Sequence, residues 1–265
     1  MKKVLLSAIT AAAFAVVSNA FALIASDNAS NYGGSWANGN NFGTGFGPWS
    51  IANNDGGGNF AGTFIGDSTP AAGDINTSGV SFGLYANPGT AFVDADRNFS
   101  SALSIGDVFS FKFGVNFDNG NKGFNLYTGG AGATQILNFN IGSGAQVNAG
   151  AGLTLNAGAG AGYDYGGASV LNLAFTYTDA STISYSISRS SPQGNQGVLF
   201  SGTVTGTFNA PDGFRFYNSG TDNGSAENNL YANSLSVVPE PSTYALLALS
   251  AVGLAGYAAR RRARK

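Results

Sequence analysis

A period of two in the apolar side chains constrains this chain more than any other feature of its sequence. Over residues 107–117 every second position is apolar, and Ser, Lys, Gly and Asn stand between them; the apolar residues are Phe109, Phe111, Phe113, Val115 and Phe117. Successive side chains of a β-strand point to opposite faces, so this pattern predicts a strand with one apolar and one polar face.

The same alternation returns along the chain, with turn-forming residues between the segments. It covers residues 137–141, 171–177, 183–187, 204–208 and 214–216. No comparable helical period occurs between the two ends of the chain. The sequence therefore predicts an all-β fold, an antiparallel β-sandwich of the jelly-roll kind.

Local composition predicts how some of these strands connect. The turn residues at 118–121 tolerate positive φ, so the strand over 107–117 is expected to return as a β-hairpin through 124–128. The Gly/Ala tract over 145–167 can pack close to a strand or form a mobile loop, and we expect a loop. Residues 228–238 are expected to form the final strand.

The first part of the body, residues 23–79, is dense in Gly, Asn and Ser. It also carries seven large aromatic residues: Tyr32, Trp36, Phe42, Phe46, Trp49, Phe60 and Phe64. A disordered linker seldom carries so much apolar surface, so we expect this part to pack onto a sandwich core formed by residues 80–238. A low-complexity adhesive linker is the alternative.

Composition excludes much chemistry. The chain has no His, no Cys and a single Met, which rules out Cys/His nucleophiles, Ser-His-Asp triads, His or Cys zinc sites and disulfides. We expect no cofactor. Between residues 23 and 240, five basic residues stand against fourteen acidic ones, a net charge of −9. Such a body repels nucleic acid.

The N-terminal segment, residues 1–22, has the form of a signal peptide. Lys2 and Lys3 precede an apolar run that is short for a membrane span, and Ala20 and Ala22 supply small residues at the expected cleavage site. We expect signal peptidase to cut after Ala22 and a signal helix to precede the sandwich. A retained membrane anchor is the alternative.

The C-terminal segment, residues 239–265, has three parts in order. Pro239, Glu240 and Pro241 form a rigid break, and residues 244–259 are apolar. The basic end follows, with Arg260, Arg261, Arg262, Arg264 and Lys265. Sixteen helical residues span about 24 Å, near the roughly 30 Å of a bilayer core. We expect a transmembrane helix with its basic end in the cytoplasm, or else a plain tail anchor.

This tail resembles the PEP-CTERM sorting signal of Gram-negative bacteria. The resemblance implies that Pro239, Glu240 and Pro241 are recognised by exosortase, a membrane cysteine transpeptidase-like enzyme, and that residues 244–265 are discarded. It further implies export through the inner membrane, a place in the cell envelope or outside the cell, and an association with exopolysaccharide and biofilm.

Catalytic carboxylates are scarce in the body. Sandwich glucanases usually carry paired glutamates on one strand, whereas this body has a single Glu before the sorting motif, Glu227. An enzyme would therefore need two Asp carboxyls about 5 to 10 Å apart. We expect no catalytic residues and no enzymatic activity.

One segment offers oxygen ligands for a metal. Asp94, Asp96 and Asn98 stand at alternate positions, as in calcium loops. Position six is Phe99 rather than Gly and position twelve is Ile105 rather than Glu, so the segment is not an EF-hand. A solvated acidic turn before a strand is the reading we prefer.

Aromatic side chains are the remaining candidates for a binding site, because a flat apolar face suits a pyranose ring. The candidates, if exposed, are Trp36, Trp49, Tyr85, Tyr217 and Tyr231, and we expect most of them to lie in the core instead. The strand segments at 103–117 and 228–238 resemble those of concanavalin A-like and related carbohydrate modules. The leading hypothesis is a non-enzymatic surface or matrix protein. A carbohydrate-binding module and a divergent Asp-based glycosidase are the alternatives.

Overall fold

The structure, a computed structural model, describes residues 23–55, 58, 60–87, 89–142, 144–191, 193–221, 224–239 and 260. Within these residues, fifteen strands form two antiparallel sheets that face each other. The predicted all-β sandwich is therefore confirmed. The predicted signal helix and transmembrane helix lie outside the described residues, and no helix within them is long and apolar enough to cross a membrane.

The larger sheet has nine strands. In spatial order they are β10 (Thr154–Ala157), β13 (Gly197–Thr205), β12 (Thr182–Arg189), β11 (Ser169–Asp179), β6 (Asp107–Val115), β15 (Leu230–Pro239), β4 (Ser81–Ala86) and β3 (Ala61–Gly66), with β1 (Ala25–Asp27) paired to β15.

The smaller sheet has six strands. In spatial order they are β2 (Ser50–Asn54), β5 (Phe92–Asn98), β14 (Gly213–Ser219), β7 (Asn121–Thr128), β8 (Thr134–Ile141) and β9 (Ala145–Ala149). Two short 3-10 helices, Ala29–Tyr32 and Ala226–Asn228, lie in the connections.

The core between the sheets is lined by the alternating apolar residues. Phe109, Phe111 and Phe113 project from β6 and are at most 2% exposed. They meet Phe214 and Phe216 of β14, with ring centroids 4.9 Å apart for Phe109 and Phe214 and 5.0 Å for Phe111 and Phe216. Full burial of one such ring stabilises the fold by about 1.5 to 3 kcal/mol.

The predicted hairpin between the strands over 107–117 and 124–128 is wrong. Strand β6 pairs with β11 and β15, whereas β7 pairs with β14 and β8, so residues 116–120 cross from one sheet to the other. Phe111 and Phe124 therefore meet across the sandwich, with ring centroids 4.8 Å apart. The strand also ends at Val115, which leaves Phe117 in the connection and 37% exposed.

The predicted loop over 145–167 is also wrong in part, since it contains β9 and β10. The residues after β10 run along the edge of β13, where Gly158 N–H donates to the Ser201 carbonyl at 2.7 Å and Gly162 N–H to the Leu199 carbonyl at 2.9 Å. A Cβ at Gly160 would lie 2.2 Å from the Leu199 carbonyl oxygen. The small residues thus permit a close backbone approach.

Residues 23–79 contribute strands to both sheets. Strand β1 pairs with β15 and β3 with β4, while β2 pairs with β5 in the smaller sheet. Trp36 and Trp49 are 3% and 1% exposed and belong to the same core cluster as the phenylalanines of β6. Their rings contact each other at 5.0 Å between centroids.

The two ends of the sandwich differ in which parts of the chain lie there. At the end called here the exit end, Pro239 lies opposite Asp107 at the start of β6, and Ala25 lies opposite Val237. At the other, called the far end, β6 finishes at Val115 and leads into residues 116–120. Nine strand residues at about 3.3 Å each place the two ends roughly 30 Å apart.

Candidate functional site

The outer face of the six-stranded sheet carries two rows of polar side chains. Because outward positions of neighbouring strands lie side by side in a sheet, the register sets these rows. One row contains Asp96, Arg215, Asn125, Asn138 and Asn148, and the other contains Asp94, Tyr217, Gly123, Asn140 and Gln146. We refer to these ten residues as the polar face.

Arg215 joins the two carboxylates of the polar face. Its Nε and one terminal nitrogen donate to the two oxygens of Asp96 at 2.7 and 2.8 Å. The other terminal nitrogen lies 2.8 Å from Asp94 Oδ2. These side chains are 16 to 24% exposed. Burial raises the pKa of Asp94, although the positive charge of Arg215 opposes the shift.

The segment proposed as a possible calcium site is part of this arrangement. The preferred interpretation, an acidic turn before a strand, is wrong because Asp94, Asp96 and Asn98 all lie within β5. Asp94 and Asp96 hold Arg215, and Asn98 Oδ1 accepts from the Ala131 N–H at 2.7 Å. Within the described part of the chain, no group of three or more His, Cys, Asp or Glu side chains could hold a metal ion.

Amide side chains extend the network from Arg215 across β7, β8 and β9. Asn138 Nδ2 donates to Asn125 Oδ1 and to the Tyr217 hydroxyl, both at 2.8 Å. The Tyr217 hydroxyl in turn donates to Asn140 Oδ1 at 3.0 Å. Asn148 Nδ2 donates to Asn138 Oδ1 at 3.2 Å. Each amide is therefore held in one orientation by its neighbours.

The hydroxyl of Tyr217 lies close to a glycine. A Cβ at Gly123, which has φ +158°, would lie 2.0 Å from the Phe139 carbonyl oxygen and 3.0 Å from the Tyr217 hydroxyl. Burial is the main cause that raises the pKa of Tyr217 above its ordinary value. The polar face thus combines one flat ring with fixed donors and acceptors in a shallow, half-buried surface.

The other aromatic candidates from the sequence do not form a binding surface. Trp36, Trp49 and Tyr231 are 3%, 1% and 2% exposed, so these three are core residues, as expected for most of the candidates, and cannot stack on a sugar. Tyr85 is half-buried on β4, in the other sheet. Only Tyr217 lies on the polar face.

The sorting tail begins where the sheet ends. The predicted final strand is confirmed as β15, whose last residue is Pro239, opposite Asp107. The Ile24 N–H donates to the Val237 carbonyl at 2.9 Å, so the chain enters and leaves the sandwich on adjacent strands. The predicted cleavage residues Ala20 and Ala22 and the motif residues Glu240 and Pro241 lie outside the described residues. So does the basic end, except Arg260.

Sequence reasoning missed most of the polar face. Arg215 and the Asn residues at 125, 138 and 140 stand between apolar neighbours within the alternating segments. Their outward direction could have been predicted from the same period of two. That they meet in two rows depends on which strands pair, and the alternation carries no information on pairing.

Comparison with known proteins identifies the tail. Residues 237–262 match the PEP-CTERM protein-sorting motif, so the resemblance seen at Pro239, Glu240 and Pro241 is confirmed. The motif indicates an exported, envelope-associated protein and implies processing by exosortase. Among curated proteins, none matches this chain.

Solved structures of low similarity share parts of the fold. A carbohydrate esterase from Shiga toxin-encoding bacteriophage phi24B has a TM-score of 0.44 and 12% identity over 83% of this chain and 99% of that chain. A beta-porphyranase from Bacteroides plebeius has a TM-score of 0.32 and 8% identity over 74% and 93%. A beta-1,3-glucanase from Mycobacterium marinum has a TM-score of 0.30 and 10% identity over 71% and 90%. Similarity of this degree implies nothing about what this chain binds.

Proposed function

We propose that this chain is a non-enzymatic protein of the cell surface or extracellular matrix, sorted through its tail, that holds exopolysaccharide on the polar face. The observation that carries the proposal is the network of Arg215, Asn138 and Tyr217, which presents fixed polar groups beside one aromatic ring. Signal peptidase would process the N-terminal end and exosortase the tail, after the precursor has resided in the inner membrane.

Polysaccharide suits this surface for a chemical reason. Sugar hydroxyls both donate and accept hydrogen bonds, and the polar face offers amide N–H groups as donors and amide and carboxylate oxygens as acceptors. Because neighbouring side chains hold these groups in place, little side-chain entropy is lost when a ligand binds. The face also crosses strands β5, β14, β7, β8 and β9, an extended surface that fits an extended chain.

The carboxylates argue against hydrolysis. A retaining or inverting glycosidase needs one carboxyl group as an acid and a second as nucleophile or base. Asp94 and Asp96 instead share Arg215, with contacts of 2.7 to 2.8 Å. A carboxylate held by a guanidinium is a weakened nucleophile, because its lone pairs and charge are already engaged.

An Asp-based glycosidase is the second candidate, and one observation favours it. Asp94 and Asp96 lie on the same face of one strand, and burial raises the pKa of Asp94, as a general acid requires. The test is release of reducing sugar ends from the host's exopolysaccharide. Release by the wild type that is lost in Asp94→Asn would establish the glycosidase and overturn the binding function proposed here.

Export and sorting are tested in the native host. We compare the wild type with a variant carrying Pro239→Ala, Glu240→Ala and Pro241→Ala, by intact mass and cell fractionation. The wild type is expected to lose its basic end and to appear outside the inner membrane, whereas the variant keeps residues 260–265 and stays there. If both forms keep the basic end in the membrane, the tail is a plain anchor and the sorting proposal fails.

Retention of polysaccharide is tested by sedimenting the protein with exopolysaccharide purified from the host. Asn140→Ala combined with Asn148→Ala removes two amides of the polar face and should reduce the bound fraction. Asn172→Ala is the matched control, because this amide lies in β11 of the other sheet and donates to Ser190 at 3.1 Å. Equal binding by the face variant and the control would contradict the assignment to this face.

A further inference from the structure

Two exposed aromatic rings stack on each other at the far end of the sandwich. Phe117, in the connection after β6, and Tyr165, in the segment before β11, have ring centroids 5.9 Å apart and planes inclined by 24°. They are 37% and 51% exposed. Stacking therefore covers only part of each ring, and the remaining apolar area faces solvent. Exposed apolar surface of this kind often marks a binding site.

A buried lysine fixes the first ring. Lys122 is fully buried, and its ammonium donates to the Phe117 carbonyl at 2.8 Å and to the Asn228 carbonyl at 2.7 Å. The Phe117 N–H donates to the Glu227 carbonyl at 3.3 Å. Both backbone polar groups of Phe117 are therefore engaged, which holds this exposed residue in one position.

A buried arginine fixes the second ring. Arg189 is 2% exposed and donates to Asp164 Oδ1 at 2.8 Å and to the Asp164 carbonyl at 2.7 Å. Its guanidinium also lies 4.6 Å from the centroid of the Tyr163 ring. Since Tyr165 directly follows Asp164, its backbone is anchored as well. Burying a charge is costly, and at this end two buried charges hold the loops beside the exposed rings.

Polar groups surround the stacked rings. The Tyr165 hydroxyl donates to Asn116 Oδ1 at 3.4 Å. Asp118 directly follows Phe117 in the chain, and the Glu227 carbonyl accepts from the Phe117 N–H at 3.3 Å, so both acidic residues flank the stacked pair. Consistent with this, the pKa of Tyr165 is raised by desolvation first and then by the negative charges of Asp118 and Glu227. The rim of this surface therefore consists of amide and carboxylate oxygens.

The position of the pair matters for a tail-sorted protein. Strand β6 begins beside Pro239 at the exit end and finishes two residues before Phe117. The pair thus lies roughly 30 Å from the point where the tail leaves, given a rise of about 3.3 Å per residue. A chain held by its C-terminal end therefore carries the stacked pair at the end of the sandwich opposite the point of attachment.

We propose that Phe117 and Tyr165 form a second sugar-binding site, which takes a neutral pyranose ring at the far end. The site deepens the proposed function, and it rests on that function for the class of ligand. The sugar's C–H face packs on the rings, and its hydroxyls meet Asn116, Asp118 and Glu227. The combination of a flat apolar face and a polar rim matches the two kinds of surface that a pyranose presents.

Charge selects a neutral sugar over an acidic one. Asp118 and Glu227 repel uronate and sulfate groups. The two cations of this end are buried and already engaged, Lys122 by backbone carbonyls and Arg189 by the carboxylate and carbonyl of Asp164. An acidic polysaccharide would therefore pay a repulsion that a neutral one does not. The same argument disfavours a nucleic acid or an acidic peptide at this end.

Affinity electrophoresis of the full chain in detergent micelles tests the site. The gels contain laminarin, dextran or galactomannan as neutral probes and alginate as the acidic probe. The wild type should be retarded by at least one neutral probe and not by alginate. Phe117→Ala combined with Tyr165→Ala should weaken this retardation about tenfold. Tyr165→Phe keeps the ring and should stay close to the wild type.

Phe60→Ala is the matched control, because Phe60 is also an exposed aromatic residue, at 48%. It lies near the far end, where its carbonyl accepts from the Asn87 N–H. Intrinsic fluorescence of the buried Trp36 and Trp49 checks that each variant is folded. If the double variant of Phe117 and Tyr165 is retarded like the wild type, or if no neutral probe retards the wild type, the second site is wrong.

The polar-face variant Asn140→Ala with Asn148→Ala runs on the same gels and separates this site from the proposed function. If that variant alone loses retardation, the polar face stands and the far-end site fails. If the Phe117 and Tyr165 variant alone loses it, the far-end site stands, and the polar face is judged by its own sedimentation test with host exopolysaccharide. If no probe retards the wild type, the proposed function is judged by sedimentation with host exopolysaccharide.

Discussion

Arg97 and Asp27 form an ion pair in which both side chains are fully shielded from solvent, although 70 residues separate them in the chain. The Arg97 guanidinium lies 4.7 Å from the ring centroids of both Phe46 and Trp49. Asp27 also accepts from the Tyr32 hydroxyl at 2.5 Å. The pair ties the first strand of the body to β5 of the opposite sheet.

Asp27→Asn should strongly destabilise the fold. The change leaves Arg97 buried without a carboxylate, which typically costs about 3 to 5 kcal/mol in the free energy of unfolding. Urea unfolding followed by tryptophan fluorescence measures this loss. Asp74→Asn is the control, because Asp74 is exposed, and its effect should stay within about 0.5 kcal/mol. Similar losses of unfolding free energy in the two variants would show that the ion pair does not hold β1 against β5.

Gly123→Ala should disturb both stability and the polar face. The new Cβ would lie 2.0 Å from the Phe139 carbonyl oxygen and 3.0 Å from the Tyr217 hydroxyl, so the strands or the ring must shift, at about 1 to 3 kcal/mol. Binding of host exopolysaccharide should weaken in the same variant. Gly144→Ala, where φ is +97° and no atom lies within 4 Å, isolates the backbone strain alone. A smaller loss at Gly123 than at Gly144 would contradict the close packing.

Arg215→Gln should convert the polar face into a weak calcium site. The change removes the guanidinium that holds Asp94 and Asp96 at 2.7 to 2.8 Å, and two carboxylates on one strand face then lack a cation. Added Ca²⁺ should raise the Tm of the variant and leave that of the wild type unchanged. Adding Asp94→Asn to the variant should abolish the increase in Tm caused by Ca²⁺. If the increase persists, the ion binds elsewhere.

Tyr163→Phe should make the fold less sensitive to alkali. Burial is the main cause that raises the pKa of Tyr163 from 10.0 to about 12. Between these values the unfolded chain loses the proton while the folded chain keeps it, so stability is full below pH 10 and falls as the pH rises towards 12. At about 1.36 kcal/mol per pKa unit, this shift of about two units accounts for up to about 2.7 kcal/mol. Urea midpoints at several pH values should fall less steeply in the variant, and parallel curves would contradict the assignment.

Much of the fold follows from patterns that are visible in the chain. The strands at 171–177 and 183–187 appear as β11 and β12, and the final strand runs straight into Pro239. The sorting motif depends on a short contiguous segment and needs no tertiary contact to be recognised. The sequence indicates only part of the candidate site, because its residue types point to Asp94, Asp96 and Tyr217 but not to Arg215 and Asn138.

The sequence by itself determined which face of each strand is buried, because alternation along a pleated strand is a local property. Only the tertiary structure decided which strands become neighbours. Phe111 and Phe124 carry the same alternation, yet they meet across the core at 4.8 Å rather than within one sheet. Pairing depends on which strand edges are still unpaired when the rest of the chain has folded. The two neighbours of β6, strands β11 and β15, lie more than fifty residues away in sequence. The rows of the polar face and the stacked pair of Phe117 and Tyr165 follow from that pairing.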